Sequence, residues 1–281
     1  MSGRFGERVR AVLDARGPLC VGIDPHEALL GAWGLGVDAA GVREFGLRTV
    51  DAAAGRVGIV KPQVSFFERF GSAGLAALED VLAAARAAGL VVIADAKRGD
   101  IGSTMDAYAA AWLLPGSPLE ADALTVNPFL GVGALDGAFA FAAEHDKGLF
   151  VLAATSNPEA TVLQRSVSAN GRAVSADIVS VVSARNAEHG VAGEWGSFGF
   201  VIGATVDWTD AGLAAFSPVA PILAPGFGSQ GATPADLRHR FGSMSHAVIA
   251  SESRSILSAG PDGLAAAIDA RVAEYGEAVR G

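Results

Sequence analysis

Short apolar runs alternate with longer amphipathic segments along most of the chain. The apolar runs are too short to form helices. They also lack the strict alternation of apolar and polar residues that half-exposed strands show, so we interpret them as strands covered on both faces. This pattern predicts eight strands, at residues 19–24, 57–62, 90–95, 123–128, 148–155, 198–205, 221–226 and 246–252.

Segments with the spacing of amphipathic helices separate the strands, as at 74–89 and 174–190. A last helix is predicted at 261–279, where Pro261 and Asp262 suit a helix start. Eight strands, each followed by a helix, are the pattern of a (β/α)8 barrel, which is an α/β fold. An open, doubly wound sheet is the alternative.

No linker or low-complexity tract divides the sequence, which predicts a single domain over residues 1–281. Two segments are longer than ordinary loops, at 113–122 and 156–174. The second follows the fifth predicted strand, on the side of a barrel where active sites form. We therefore expect it to cover part of a ligand site.

Composition narrows the classes of function. Hydrophobic residues make up 51% of the chain, and no apolar stretch reaches the ~18 residues that a membrane span needs. The net charge of −9 and the lack of a basic run argue against a nucleic-acid partner. The first residues show no apolar signal-peptide core. Cys20 is the only cysteine, which excludes an internal disulfide and favours a reducing, cytoplasmic setting.

Lysine is rare in this sequence, with three lysines against 18 arginines. Two of the three, Lys61 and Lys97, lie at the ends of predicted strands. Arginine supplies charge but keeps its proton at working pH, whereas a lysine in a suitable site can give its proton up. The placement of these two lysines therefore favours proton chemistry over plain charge.

Polar side chains gather at the carboxyl ends of the predicted strands, which lie on one face of a barrel. Each alone has a simple explanation as a cap, a surface charge or a turn residue, and the shared placement is what favours a site. The residues are Asp24, Lys61, Asp95, Lys97, Ser156, Gln230 and Arg254.

Asp95 and Lys97 are two positions apart in the third strand, so their side chains should point the same way. With Lys61 on the neighbouring strand they predict an array in which each lysine and each carboxylate holds its neighbours charged. A structural ion pair that plugs the barrel end is the simpler interpretation, but it leaves Lys61 without a purpose. Asp100 follows closely, before a helix start expected at Ser103 or Thr104, so it either caps that helix or joins the array.

The loop PGFGSQG at 225–231 has glycines in G-x-G-x-x-G spacing. A dinucleotide fingerprint would place a ribose-binding acid near Glu252, but only one further strand follows, so the nucleotide-binding half cannot be completed. A phosphate cradle suits the loops after strands seven and eight better. Gln230 adds a donor there, and Arg254 a bidentate clamp.

The stretch IADAKRGDIGST closely resembles the signature of the orotidine 5′-phosphate decarboxylase family. It matches the pattern D-x-K-x-x-D-I-x-x-T at Asp95, Lys97, Asp100, Ile101 and Thr104. The resemblance covers nearly the whole chain, and the chain is similar in length to the longer bacterial subgroup of this family, type 2. Further matching motifs are GIDP, VKPQ, TVNPFLG, TSNP, PGFGSQG and SRSI.

This resemblance implies decarboxylation of orotidine 5′-monophosphate to uridine 5′-monophosphate, without metal or cofactor. It implies that Lys97 protonates C6 of the pyrimidine while Asp95 and Asp100 flank the lysine and the substrate carboxylate. It further implies a homodimer with shared active sites, in which Asp100, Ile101 and Thr104 come from the partner subunit.

The same resemblance assigns the remaining candidates to substrate binding. It implies that Lys61 and Asp24 hold the ribose hydroxyls and the charge network. Ser156 is expected to read the amide edge of the pyrimidine, and Gln230 and Arg254 to bind the phosphate.

Two alternatives stay open at this point. Sugar-phosphate decarboxylases and synthases of the same superfamily share D-x-K-x-x-D but use magnesium and typically carry a carboxylate at the end of strand two, where this chain has Lys61. A non-catalytic nucleotide-phosphate binding protein is the other alternative. Arginine would serve such a protein as well as lysine, so the two retained lysines argue against it.

Overall fold

The computed structural model describes residues 3–280, and its centre is a closed barrel of eight parallel strands paired in chain order. The predicted (β/α)8 barrel is confirmed, and the open doubly wound sheet is wrong. The strands are β1 Leu19–Ile23, β2 Ile59–Pro62, β3 Val91–Arg98, β4 Ala123–Val126, β5 Gly148–Ala154, β6 Phe198–Ile202, β7 Ile222–Pro225 and β8 Val248–Glu252.

Helices follow the strands and cover the outside of the barrel. Short 3₁₀ turns at Val132–Leu135 and Gly242–Ala247 precede a helix and a strand, respectively. The helices are α1 Phe5–Arg16, α2 Glu27–Ala32, α3 Ala39–Ala53, α4 Ser65–Glu68, α5 Gly71–Ala87, α6 Gly102–Leu113, α7 Asp136–Glu144, α8 Ala160–Gln164, α9 Val174–His189, α10 Asp236–Phe241, α11 Arg254–Leu257 and α12 Gly260–Arg280.

Alternate residues of each strand face two different apolar layers. In β3, Val91 and Ile93 belong to the cluster inside the barrel, whereas Val92 and Ala94 belong to the layer under the helices. This double burial explains why the strands read as continuous apolar runs in the sequence. Phe5 of α1 packs edge-on against Phe150 of β5 in the inner cluster, with 5.9 Å between ring centroids, so α1 closes the amino end of the barrel.

The third strand runs longer than the sequence pattern predicts. It continues to Arg98 and pairs with β4 through a register shift, from Ala94 opposite Leu124 to Arg98 opposite Val126. Four steps along β3 therefore match two steps along β4. Such a bulge bends a strand and re-aims its side chains, and bulges are common next to active sites.

The long segment at 156–174 has its own structure. It contains α8 and an antiparallel bridge between Val167 and Ala173. Gln164 ties it to the end of β5, because its amide oxygen accepts from the backbone N–H of Thr155 at 2.8 Å and its amide nitrogen donates to the Thr155 hydroxyl at 3.0 Å. Among residues 3–280, no helix is both long and apolar enough to cross a membrane.

Candidate active site

The strand residues that face the inside of the barrel are apolar at first and become charged at the carboxyl end of the strands. Inside β2, Ile59 is followed two residues later by Lys61, and inside β3, Ile93 is followed by Asp95. Each strand thus continues its interior row with a polar residue once it leaves the apolar core. Asp24 lies one residue past the end of β1, and β1 and β2 are paired so that Gly22 is opposite Lys61.

Asp95 is the centre of the charged array. Its Oδ2 accepts a hydrogen bond from Lys61 Nζ at 2.9 Å, and its Oδ1 accepts one from Lys97 Nζ at 2.6 Å. Asp24 Oδ1 lies 4.0 Å from Lys61 Nζ and has no hydrogen-bond partner among the described residues. The array therefore has one open acceptor, at Asp24, and one exposed cation, because the Lys97 side chain is 45% exposed.

The array is held in its charged form. Burial of Asp95 favours the neutral acid, but the ammonium groups of Lys61 and Lys97 outweigh burial and hold the pKa of Asp95 well below its usual range. Burial likewise opposes the charge of Lys61, whereas the carboxylates of Asp95 and Asp24 raise its pKa above the usual value. Near neutral pH, the interior thus holds the Asp95 carboxylate and the Lys61 ammonium group as a charged pair.

Lys97 has a backbone conformation that side-chain-bearing residues seldom adopt, with φ of 51°. It lies in the bulge of β3, and its backbone N–H donates to the Thr125 hydroxyl at 2.9 Å. The next residue, Arg98, is anchored by a salt bridge to Glu68 and lies over the rings of Tyr108 and Trp112. These contacts hold the bulge on both sides of the lysine.

Thr125 is the residue in this region that the sequence reasoning missed. It is fully buried in β4, and its hydroxyl also donates to Asp95 Oδ1 at 3.0 Å. A signal for it was present, because Ala123 belongs to the inner cluster and the residue two positions later is polar, as in β2 and β3.

Asp100 is separate from the array in this chain. Its carboxylate accepts from the backbone N–H of Ile101 at 2.8 Å, and α6 begins at Gly102 with Ile101 at the position before it. No salt bridge involves Asp100 within residues 3–280. It neither caps the helix nor joins its own chain's lysines. Ile101 is 62% exposed, and Thr104 is exposed on the first turn of α6.

The glycine loop after β7 packs closely against the strand beside it. Gly226, Gly228 and Gly231 all have positive φ, and the N–H of Gly228 donates to Ala232 O at 2.8 Å. A Cβ on Gly228 would lie 2.6 Å from a carboxylate oxygen of Glu252, so only glycine allows this approach. Gln230 projects from the loop, exposed and without a side-chain hydrogen bond inside the described part of the chain.

Glu252 supports this loop and does not resemble a ribose-binding acid. Its side chain is fully buried and accepts from Tyr275 Oη at 2.7 Å, from Ser255 Oγ at 2.7 Å and from both Nε and Nη2 of Arg271. These bonds connect the ends of β8, α11 and α12. Arg254 begins α11 beside Ser255, exposed and without a salt bridge to any described residue.

Two cavities open at the carboxyl end of the barrel, and one of them borders the array. A cavity of about 150 Å³ is lined by Ser156 and lies between the end of β5 and the loop that follows β6. A larger cavity of about 780 Å³ lies next to Lys97 and has mainly apolar walls. Its walls include Asn127, Phe129, Leu152, Leu163, Ile178 and Val181.

The structure thus brings Asp24, Lys61, Asp95 and Lys97 into one array. Ser156, Gln230 and Arg254 lie at the same end of the barrel, but none of them contacts the array through its side chain among the described residues. Across residues 3–279, no group of three or more histidine, cysteine, aspartate or glutamate side chains is placed to hold a metal ion.

The fold and the array define a class of protein, the (β/α)8-barrel enzymes whose site is a lysine–carboxylate array at the carboxyl end of the strands. Residues 17–268 match the model of the family described as orotidine 5′-phosphate decarboxylase / HUMPS. The chain belongs to this family.

Relatives and solved structures cover nearly the whole chain. An orotidine 5′-phosphate decarboxylase from Corynebacterium efficiens is 50% identical over 98% of this chain and 98% of its own length. One from Nocardioides sp. is 53% identical over 90% of this chain and 91% of its own.

A crystal structure from Streptomyces avermitilis, assigned to the same enzyme, is 48% identical, covers 100% of this chain and 98% of its own, and superposes with a TM-score of 0.94. The Leishmania donovani OMP decarboxylase is 27% identical, with a TM-score of 0.80 over 99% of this chain and 100% of its own.

Proposed function

We propose that this protein decarboxylates orotidine 5′-monophosphate to uridine 5′-monophosphate and carbon dioxide, the last step of de novo UMP biosynthesis. The observation that carries the proposal is the ion-paired sequence Lys61–Asp95–Lys97 at the mouth of the barrel. The relatives at about half identity carry this one activity in their names. The family description alone also includes a second branch, so the basic residue at position 61 is what separates the two.

Lys97 is the proton donor in this proposal. The bond between C6 and the carboxylate breaks, its electron pair stays on C6, and carbon dioxide leaves. A proton from Lys97 Nζ then goes to C6, and the amine regains a proton from solvent. The exposed Lys97 ammonium faces the mouth of the barrel while Asp95 fixes it from behind, so its charge is in place before the carbanion develops.

Asp95 and Asp100 flank Lys97 and the substrate carboxylate. Two carboxylates about 4 Å apart repel each other by about 4 kcal/mol at an effective dielectric constant near 20, and loss of carbon dioxide relieves this repulsion. This ground-state repulsion contributes less to the reaction rate than Lys97 does, because a preorganised cation acts directly on the negative charge that develops in the reaction.

The other candidates bind the substrate. Asp24, whose Oδ1 has no hydrogen-bond partner within the described residues, accepts a hydrogen bond from a ribose hydroxyl, and the Lys61 ammonium group donates one to the ribose. Ser156 faces the amide edge of the pyrimidine from the smaller cavity. Gln230 on the loop after β7 and Arg254 at the start of α11 have no side-chain partners of their own in the described chain, and they bind the phosphate.

An ultraviolet assay tests this function. Purified protein in excess EDTA should remove the orotate absorbance of orotidine 5′-monophosphate, because we propose that the reaction uses neither metal nor cofactor. Activity that vanishes with chelator and returns with magnesium would move the protein to the sugar-phosphate branch. Binding of the nucleotide without any turnover would support the non-catalytic alternative.

We further propose a homodimer whose sites are shared between subunits. Asp100 makes no contact with its own chain's array, and Ile101 beside it exposes a large apolar side chain. The apolar cavity next to Lys97 has room for a short loop, and Phe129 on its rim is 71% exposed. In the dimer, Asp100, Ile101 and Thr104 of each subunit complete the site of the other.

A mixed dimer tests the shared site. Lys97→Ala and Asp100→Ala homodimers should both be severely impaired. A dimer of one chain of each pairs an intact Lys97 with an intact Asp100 in one of its two sites. Refolding an equal mixture gives roughly half mixed dimers, so about a quarter of the wild-type activity should return.

Two affinity tags, one on each variant, allow the mixed dimers to be isolated. Isolated mixed dimers with about half the wild-type activity per dimer support the proposal. Mixed dimers as inactive as their parents would place Asp100 in its own chain's site.

We also propose that residues 1–281 form one catalytic domain and act in the cytoplasm, where the thiol of Cys20 stays reduced.

A further inference from the structure

Thr125 makes two hydrogen bonds with one hydroxyl group at the bulge of β3. The hydroxyl donates its proton to Asp95 Oδ1 at 3.0 Å and accepts the backbone N–H of Lys97 at 2.9 Å. Its donor and one lone pair are thus both used, each on a different residue of the charged array. Thr125 has no exposed surface, and its bond to Asp95 is buried away from water.

The bulge explains why a side chain must supply the acceptor for the backbone N–H of Lys97. Ladder pairing between β3 and β4 stops after Ala94 and resumes at Arg98, so the backbone N–H of Lys97 lacks the carbonyl partner that a regular ladder would supply. A buried N–H without a partner is costly, and the Thr125 hydroxyl takes the place of the missing carbonyl. It thereby stabilises Lys97 at φ of 51°, a conformation that otherwise carries strain.

The second bond fixes the carboxylate that orients the lysine. Asp95 Oδ1 accepts from both the Thr125 hydroxyl and Lys97 Nζ, while Oδ2 accepts from Lys61. Rotation of the Asp95 carboxylate would break at least one of these bonds. Thr125 therefore determines both where the Lys97 backbone lies and where its ammonium group points.

We propose that Thr125 is a positioning residue for the decarboxylation, acting through the backbone of Lys97 and the carboxylate of Asp95. This inference rests on the proposed role of Lys97 as proton donor. Thr125 contacts neither the reacting carbon nor the phosphate site, so it affects the orientation of the donor and leaves substrate binding intact.

Thr125→Val is the direct test, since valine keeps the branched shape and removes the hydroxyl. We expect kcat for orotidine 5′-monophosphate to fall at least about tenfold, with KM within about twofold of wild type, because the donor is misplaced and the binding groups are untouched. Thr125→Ser restores the hydroxyl and should recover kcat to within about threefold. A residue that only supported the fold would not separate kcat from KM in this way.

Thr49→Val is the matched control. Thr49 is equally buried, but it lies in α3 and its hydroxyl donates to Phe45 O at 2.8 Å, away from the array. Its kcat and KM should both equal those of wild type. Urea unfolding of all variants shows whether Thr125→Val is folded, and Thr125→Ala replaces it in the assay if it is not.

The outcomes separate this inference from the proposed function. If Lys97→Ala keeps its turnover, the proton-donor role fails first. If Lys97→Ala is inactive while Thr125→Val has wild-type kcat, only the positioning role of Thr125 is wrong. The same conclusion follows if serine fails to recover the activity that valine loses, or if KM rises as much as kcat falls.

Discussion

Two sides of the barrel mouth differ in how they hold their functional side chains. On the side of β1 to β4, Lys61, Asp95 and Lys97 are bonded to one another. On the side of β7 and β8, Gln230 and Arg254 have no side-chain partner in the described chain, although the backbone beneath them is firmly held. The first side is joined by its own hydrogen bonds and ion pairs, whereas the second side presents side-chain donors that no described residue uses.

This difference matches the two tasks that the proposed function gives to the site. Stabilising a charge that develops during the reaction requires groups that are already in place, because reorganising them would add to the barrier. Binding a phosphate needs donors that the phosphate itself can satisfy, and charge-assisted bonds of this kind contribute about 1.5–3 kcal/mol each. Under the proposed function, the site combines a preorganised reacting end with an open phosphate-binding end.

Replacing Lys97, the proposed proton donor, should have the largest effect. Lys97→Ala should lower kcat by about 10⁴-fold, the upper range for general acid catalysis, while the fold and UMP binding remain. Lys97→Arg sharpens the test, because arginine keeps the charge and does not release a proton at working pH. Substantial turnover by Lys97→Arg in the absorbance assay would reduce the role of the lysine to electrostatics.

Replacing Lys61, the buried lysine of the array, should lower the free energy of unfolding. Lys61→Met leaves the buried Asp95 with one cation instead of two, and losing a partner of a buried ion pair typically costs about 3–5 kcal/mol. Urea denaturation measures this loss. Arg43→Ala is the control, since it removes an exposed ion pair with Asp80 and should cost below about 1 kcal/mol. Equal losses in both variants would contradict a tightly coupled interior array.

KM should be sensitive to the backbone of the glycine loop after β7, where we propose that the phosphate binds. Gly228→Ala places a methyl group against Glu252 and Ser255, so the loop must move, and KM for orotidine 5′-monophosphate should rise about tenfold. Gly231→Ala is a matched control, because Gly231 also has positive φ but a Cβ there meets nothing within 4 Å. If both variants raise KM equally, backbone strain alone is responsible and the contact with Glu252 is irrelevant.

The smallest expected effect is on the stability of the protein at acidic pH. The pKa of Asp95 is held below its usual value in the folded protein, so its contribution to stability is present above the unfolded-state pKa near 3.9. It is lost as the pH falls through the lower folded-state pKa. The stability difference between wild type and Asp95→Asn should therefore shrink progressively below about pH 4. A difference that stays constant from pH 7 to pH 2 would contradict the charged state of Asp95.

The strand order could be predicted from the sequence because strands buried on both faces leave a strong apolar signal. All eight predicted strands are present, and their ends differ by up to three residues. Asp24, Lys61 and Asp95 also follow from the sequence, since each continues the inner row of its strand beyond the apolar core. The resemblance then supplied the roles, which periodicity alone does not carry.

The bulge of β3 could not be predicted in the same way. Simple alternation places Asp95 and Lys97 on one side, and the structure does join them, but through an irregular turn with positive φ at Lys97. This turn depends on Thr125 of β4 and on the contacts of Arg98 with residues of α4 and α6, all of which lie outside the strand segment itself. Glu252 is similar, because its partners Arg271 and Tyr275 come from α12, about twenty residues away.

The most direct measurement of the central claim compares two substrates with one variant. Arg254→Ala should lower kcat/KM for orotidine 5′-monophosphate about tenfold to a hundredfold, because it removes one charge-assisted contact to the phosphate. It should leave kcat/KM for the nucleoside orotidine unchanged, because the array at β1 to β4 is complete without it, and Arg43→Ala should change neither. Equal losses on both substrates would show that binding and chemistry are not divided between the two sides of the barrel mouth.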